Sequence, residues 1–223
     1  DNLAIGYDAL GGAIAGGEYN VAIGNYSLDA NTTGDNNVAV GYGALTANTT
    51  GVGNVAIGRE ALKANVNGYK NMAFGGNALL SNTSGNYNIG IGDGSLQQNT
   101  SGHDNIAIGH GTANYNTTAS NNIAIGSDAL GNNKTGTRNI AIGHDALNGQ
   151  YSNSKNESDN LAIGYDALGG AIDGGTHNIA IGNYSLDANK TGDNNVAVGY
   201  GSLGANTDGL RNIAIGVGAY DAA

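Results

Sequence analysis

The sequence predicts an all-β parallel solenoid, and two observations carry that expectation. The first is a motif, Asn-(apolar)-Ala-(apolar)-Gly, that recurs thirteen times in 223 residues, with Gly90 standing for Ala in one copy. The second is its spacing, which is 17 residues between most copies. A short fixed period along a whole chain means that each copy is one coil stacked on its neighbours, with no single central core. About 13 coils spanning residues 1–223 form one repeat domain, read as an excerpt of a longer fibre.

Each coil opens with Asn: Asn2, Asn20, Asn37, Asn54, Asn71, Asn88, Asn105, Asn122, Asn139, Asn160, Asn178, Asn195 and Asn212. Four residues later comes an invariant Gly: Gly6, Gly24, Gly41, Gly58, Gly75, Gly92, Gly109, Gly126, Gly143, Gly164, Gly182, Gly199 and Gly216. The five-residue opening alternates as a short strand does. Its aliphatic second and fourth positions (Val38 and Val40, for example) are expected to point inward. Asn, Ala and Gly would then face outward, where a ribbon of small residues admits a second backbone closely. The invariant Gly implies a left-handed conformation or a close approach at a corner. Stacked Asn amides can hydrogen-bond along the axis as a ladder.

A second short segment follows, a small residue and then Leu, as in Ala44-Leu45 and Ser95-Leu96. It reads as a second parallel strand. Asn-Thr-Thr-Gly or a close variant closes the coil with turn chemistry. Glycine, 40 residues in all, occupies fixed places in the period and is therefore punctuation and not disorder. Thirteen coils at the usual strand spacing of about 4.8 Å would make a rod roughly 60 Å long.

The period breaks in a few places. Coils starting at Asn2 and Asn160 have 18 residues and carry Ala-Leu-Gly-Gly-Ala-Ile, and the coil from Asn139 has 21, with the polar stretch Gln150 to Ser158. Such extra residues are expected as loops on a working face. On a larger scale, residues 1–45 and 159–203 are nearly the same text.

Composition narrows the function. Eight Lys and Arg against 18 Asp and Glu give a net charge of −10, the wrong sign for nucleic acid or an anionic membrane. The longest apolar runs fall far short of the 18 residues a spanning helix needs, so no membrane insertion is expected in this segment. With Cys absent, disulfide and thiolate chemistry are excluded.

Candidate chemistry is sparse. His110 and His144 share a column two coils apart, about 10 Å, too far to ligate one ion together. Asp128, Asp145 and Asp166 occupy one column in consecutive coils, where repulsion invites a cation or a raised pKa. No catalytic residue, cofactor or metal is assigned. Sequons recur, and Asn31, Asn48, Asn82, Asn99 and Asn116 are the candidate glycosylation positions; turn chemistry explains the same pattern. Tyr7, Tyr42, Tyr165 and Tyr200 at the sixth position could stack on sugars or on neighbouring coils.

The run Asn54-Val-Ala-Ile-Gly58, followed by Ala61-Leu62, resembles the head repeats of YadA-type trimeric autotransporter adhesins. The longer form Ala44-Leu-x-x-Asn-Thr-Thr-Gly-x-x-Asn-x-Ala-Ile-Gly58 is similar to repeats of bacteriophage tail fibres and bacterial surface proteins. The resemblance covers essentially the whole chain. It implies a left-handed β-roll, three chains side by side as a homotrimer, and a role in attachment at a cell surface or on a virion fibre. The expected function is therefore a non-enzymatic extracellular fibre segment, a stiff spacer that could also bind a host-surface glycan or protein receptor. The alternative is a self-assembling filament whose subunits stack end to end. An ice-binding solenoid would need a flat Thr array, whereas Thr here clusters at turns.

Overall fold

A computed structural model describes residues 1–12, 15–149, 158–170 and 174–221. Among these residues the chain is all-β, a parallel solenoid of three-residue strands, one per coil, with no helix. Two compact units hold the coils, Asp1–Asn105 and Ile106–Ala223. The first contains β1 (Leu3–Ile5), β2 (Val21–Ile23), β3 (Val38–Val40), β4 (Val55–Ile57), β5 (Met72–Phe74) and β6 (Ile89–Ile91). The second contains β7 (Ile106–Ile108), β8 (Ile123–Ile125), β9 (Ile140–Ile142), β10 (Leu161–Ile163), β11 (Ile179–Ile181), β12 (Val196–Val198) and β13 (Ile213–Ile215). The Gln150 to Ser158 stretch lies outside the described residues except for Ser158, as does part of each Ala-Leu-Gly-Gly-Ala-Ile insert.

Within each unit, successive strands pair in parallel and in register. Ala22 faces Ala39, Ala39 faces Ala56, and Ala56 faces Ala73 in the first. The second has the same column from Ala107 to Ala124 and from Ala180 to Ala197. Because the repeat length equals the coil length, like stacks on like.

The expected facing of the strand is reversed. Ala22, Ala39, Ala56 and Ala73 are fully buried, whereas the flanking aliphatics of β2, β3 and β4 are half-exposed and Met72 and Phe74 are exposed. Asn and Ala line the interior, and Ile and Val face outward. The cause is bore size. Leu at the ninth position of most coils (Leu28, Leu45, Leu62, Leu79) enters from the opposite wall and is fully buried. That leaves room across from it for a methyl group but not for isoleucine. At Gly90 even a methyl would be tight, 3.0 Å from Ser95 Oγ and 3.4 Å from Leu79 Cγ.

The second strand predicted at Ala44-Leu45 is a turn instead. Leu45 has φ 52°, and Leu28, Leu62, Leu79 and Leu96 lie between 50° and 52°. A left-handed Leu costs about 1–2 kcal/mol in isolation. Burial of its side chain and a hydrogen bond to the next coil, Leu45 N–H to Ala61 O at 3.0 Å, offset that cost. The seventh position, two residues before the Leu, is also left-handed, and Glu60 N–H donates to Tyr42 O at 2.8 Å. Backbone pairing between coils therefore continues where the strand stops.

Candidate functional site

The opening Asn residues form the ladder their recurrence suggests, and it lies inside the coil. Asn37 Oδ1 accepts from the Asn54 backbone N–H at 2.9 Å and from Asn54 Nδ2 at 3.2 Å, while Asn37 Nδ2 donates to Gly51 O at 2.8 Å. The same pattern links Asn2 to Asn20 and Asn88 to Asn105 in the first unit. In the second unit, Asn139 N–H donates to Asn122 Oδ1, and Asn195 and Asn212 each donate to the Asn one coil before. The buried amides of Asn20, Asn37, Asn54 and Asn71 are thereby satisfied by backbone and by their own kind, which is what lets a polar side chain occupy the interior.

The corner glycines meet both requirements at once. Their φ values run from 125° to 143° in the first unit and from 127° to 137° in the second, where side chains are strained. A Cβ added at Gly41 would lie 2.5 Å from Gly58 O and 2.7 Å from Gly58 C. Consecutive corners stack too closely for any side chain.

The sequon asparagines are also interior. Asn31, Asn48, Asn82, Asn99 and Asn116 are fully buried. In the first unit they form a second ladder: Asn48 Nδ2 donates to Asn31 Oδ1 at 3.0 Å, and Asn99 Nδ2 to Asn82 Oδ1 at 2.8 Å. Each Nδ2 also donates to the Gly carbonyl three residues on, as Asn48 does to Gly51 at 3.1 Å. Asn65 occupies the same column without a sequon and bonds identically, to Asn48 at 2.9 Å and to Gly68 at 2.9 Å. The turn is what recurs, and a glycan on these nitrogens is incompatible with the packing. The Asn156 sequon lies outside the described residues.

Among the described residues no three His, Asp, Glu or Cys side chains are grouped to hold a metal ion. His144 Nδ1 lies 2.8 Å from Asp145 Oδ2, and its ring stacks on Tyr165 at 5.4 Å. Burial, and then the charge of Asp145, raises the pKa of Asp166; burial and Asp166 do the same to Asp187.

What the structure brings together on the surface is aromatic. Tyr7, Tyr26 and Tyr42 contact edge to face, with centroids 5.5 and 5.8 Å apart. Tyr165, Tyr184 and Tyr200 repeat the arrangement at 5.3 and 5.7 Å. The sixth-position tyrosines thus do pack on neighbouring coils, but through Tyr26 and Tyr184, which sit at the seventh position and were not singled out by column. Their signal in the sequence is the alternation of sixth- and seventh-position Tyr over three consecutive coils. Burial, with Tyr7 and Tyr42 beside it, raises the pKa of Tyr26.

Beside the first triplet runs a groove of the first unit. One part, roughly 260 Å³, is lined by Tyr26, Tyr42, Gly43, Thr46 and Lys63. It shares Thr46 and Lys63 with a second part of roughly 440 Å³ that reaches Glu60 and Leu80. Glu60 accepts from Lys63 Nζ at 2.8 Å, and that bond holds its carboxyl below the ordinary range. Thr46, which lines both parts, has its Oγ1 2.7 Å from Gly43 O and 3.1 Å from Tyr26 O, so its one proton is committed to backbone carbonyls. Comparison with protein-family models, curated proteins and solved structures finds no match, so the chemistry is read from this geometry.

Proposed function

We propose that this chain is a structural and adhesive segment of an extracellular fibre, carried at a cell surface or on a virion, in which identical chains pack side by side as a homotrimer. One observation carries the reading. In each unit the second and fourth positions of every coil, the two ends of its strand, are aliphatic, Met72 or Phe74, and they face outward as a ribbon two residues wide. Soluble monomers seldom expose so continuous an apolar patch, whereas interfaces between identical chains are built from such patches. The interior supports the same reading from the other side. The opening Asn ladder and the coil-to-coil backbone bonds repeat along each unit, which suits a stiff spacer. The net charge of −10 fits a solvent-exposed part of such a fibre.

The native mass in solution tests it. A multiple of three chains is expected by light scattering at micromolar concentration, and the double variant Val40→Lys, Ile57→Lys should yield folded single chains. A wild-type mass of one chain overturns the proposal. Open-ended growth with concentration would favour end-to-end filaments instead.

A further inference from the structure

The groove between Tyr26 and Leu80 has the make-up of a binding site, and it belongs to the turn segment, not to the Ile/Val ribbon. We propose that it binds an unbranched, neutral, β-linked oligosaccharide lying along the coils, with its sugar faces on Tyr42 and its hydroxyls on Thr46, Glu60 and Lys63. A pyranose ring has an apolar face and a rim of hydroxyls. Tyr42, just over half exposed, offers a flat apolar ring with a polar tip for the face. The rim meets one cation with spare donors (Lys63), one carboxylate that stays ionised as an acceptor (Glu60), and one hydroxyl whose proton is already committed inward (Thr46).

Size and pitch agree with that occupant. The two adjoining parts of the groove, roughly 260 and 440 Å³, are in the range that accommodates a few sugars. Coils repeat at the strand spacing of about 4.8 Å, and an extended β-linked hexopyranose chain advances by a similar distance per sugar. An anionic glycan is disfavoured by Glu60 and by the net charge of −10.

The chain contains its own control. Tyr165, Tyr184 and Tyr200 repeat the aromatic triplet, but Gly204, Gly218 and Asp221 stand where Thr46, Glu60 and Lys63 stand in the first copy. The second triplet therefore has rings without the polar set.

This inference rests on the adhesive part of the reading above, but its test is separate from the native mass. The full chain is titrated with cellohexaose, chitohexaose, xylohexaose and maltohexaose, following tyrosine fluorescence and heat. At least one of the three β-linked chains should saturate one site per chain. Tyr42→Ala and Lys63→Asp should each weaken that binding at least tenfold, while Tyr200→Ala leaves it within twofold; all three variants should stay folded, with the two tyrosine variants losing the same small amount of stability from one ring contact each. Three results overturn the proposal: no saturation with any β-linked chain at millimolar concentration, equal binding of maltohexaose, or equal losses from Tyr200→Ala and Tyr42→Ala. The wild-type titration decides the matter even if a variant misfolds.

Discussion

Residues 1–45 and 159–203 are nearly the same text, yet they do not present the same surface. Both build the Asn ladder, the left-handed Leu and the corner Gly, and both carry three tyrosines in edge-to-face contact. They part company just beyond the shared text. The first copy is followed by Thr46, Glu60 and Lys63, and the second by Gly204, Gly218 and Asp221. The difference separates two kinds of position. First, third, fifth and ninth positions set the backbone and tolerate little; sixth and tenth positions decorate it, and the seventh varies in side chain while keeping a positive φ. Substitutions that cost the same in both copies belong to the scaffold, and substitutions that differ belong to the surface.

The largest expected effect is at a corner, and it should be equal in the two copies. Gly41→Ala and Gly199→Ala each force a Cβ against the next corner, Gly58 or Gly216, at a φ near 133° or 132°. A loss on the order of 3 kcal/mol is expected for each, from strain plus overlap. Chemical denaturation of the two variants checks it. A loss under about 1 kcal/mol at either position would sink the stacked-corner account.

Next come the interior ladders, contrasted with the outward ribbon of the same strand. Asn37→Ala strands the partners of a fully buried amide and is expected to cost about 3 kcal/mol. Leu45→Ala removes a fully buried side chain and should cost about 2–5 kcal/mol. Val38→Thr, on the half-exposed face of the same strand, should change the stability of one chain by only about 0.5 kcal/mol. Were Val38→Thr to cost more than Asn37→Ala in a single-chain variant, the inside-out assignment of the strand would be wrong.

That assignment is also where sequence reading stopped. The period, the corner requirement and the existence of an Asn column were all legible, because each depends on what recurs and at what spacing. Which side of an alternating strand faces in was not. Large aliphatics are usually the buried set, and nothing local reveals a bore that Leu45 has already filled. The left-handed Leu was equally hidden, since Leu carries no preference for positive φ and only the stacked coils impose it. Sequons were ambiguous for a related reason: Asn-Thr-Thr is both a glycosylation signal and a turn, and Asn65, bonded identically with no sequon, favours the turn reading. In the candidate groove, Glu60 and Lys63 are ordinary surface residues until the coils set them beside Tyr42.

A smaller contrast concerns acidity, and here the signs differ within one region. Asp166 and Asp187 have raised pKa values from burial and then from a neighbouring carboxylate, Asp145 beside Asp166 and Asp166 beside Asp187, so the folded state holds protons more tightly than the unfolded chain. Their contribution is favourable below the ordinary aspartate pKa and is lost as pH rises through their raised values. Asp159 is the opposite case. The Arg138 guanidinium, 2.6 Å away, lowers its pKa, so its contribution is present above the ordinary value and fades as pH falls through the lowered one. Asp187→Asn should therefore raise the melting temperature slightly at pH 7 and leave it unchanged at pH 3. Asp159→Asn should lower it slightly at pH 7, with the difference shrinking on acidification. Melts of the two variants at both pH values check the signs, and matching signs at pH 7 would show that burial does not dominate at Asp187.

The smallest effect returns to the twin tyrosine triplets. Tyr26 and Tyr184 are each the middle ring of three, with perpendicular neighbours on both sides. Each edge-to-face contact contributes about 0.5–1 kcal/mol, partly discounted here because the rings are solvent-facing. Tyr26→Leu and Tyr184→Leu should then destabilise by a similar modest amount, about 1 kcal/mol, measured by urea denaturation at pH 7. The second triplet has one extra partner, His144 stacked on Tyr165, but that ring touches the end of the row and not its middle. Equal losses would confirm that the triplets are interchangeable as structure, so that any difference between them in ligand binding must come from Thr46, Glu60 and Lys63. A loss at Tyr184 more than twice that at Tyr26 would mean that the copies differ in their scaffold too.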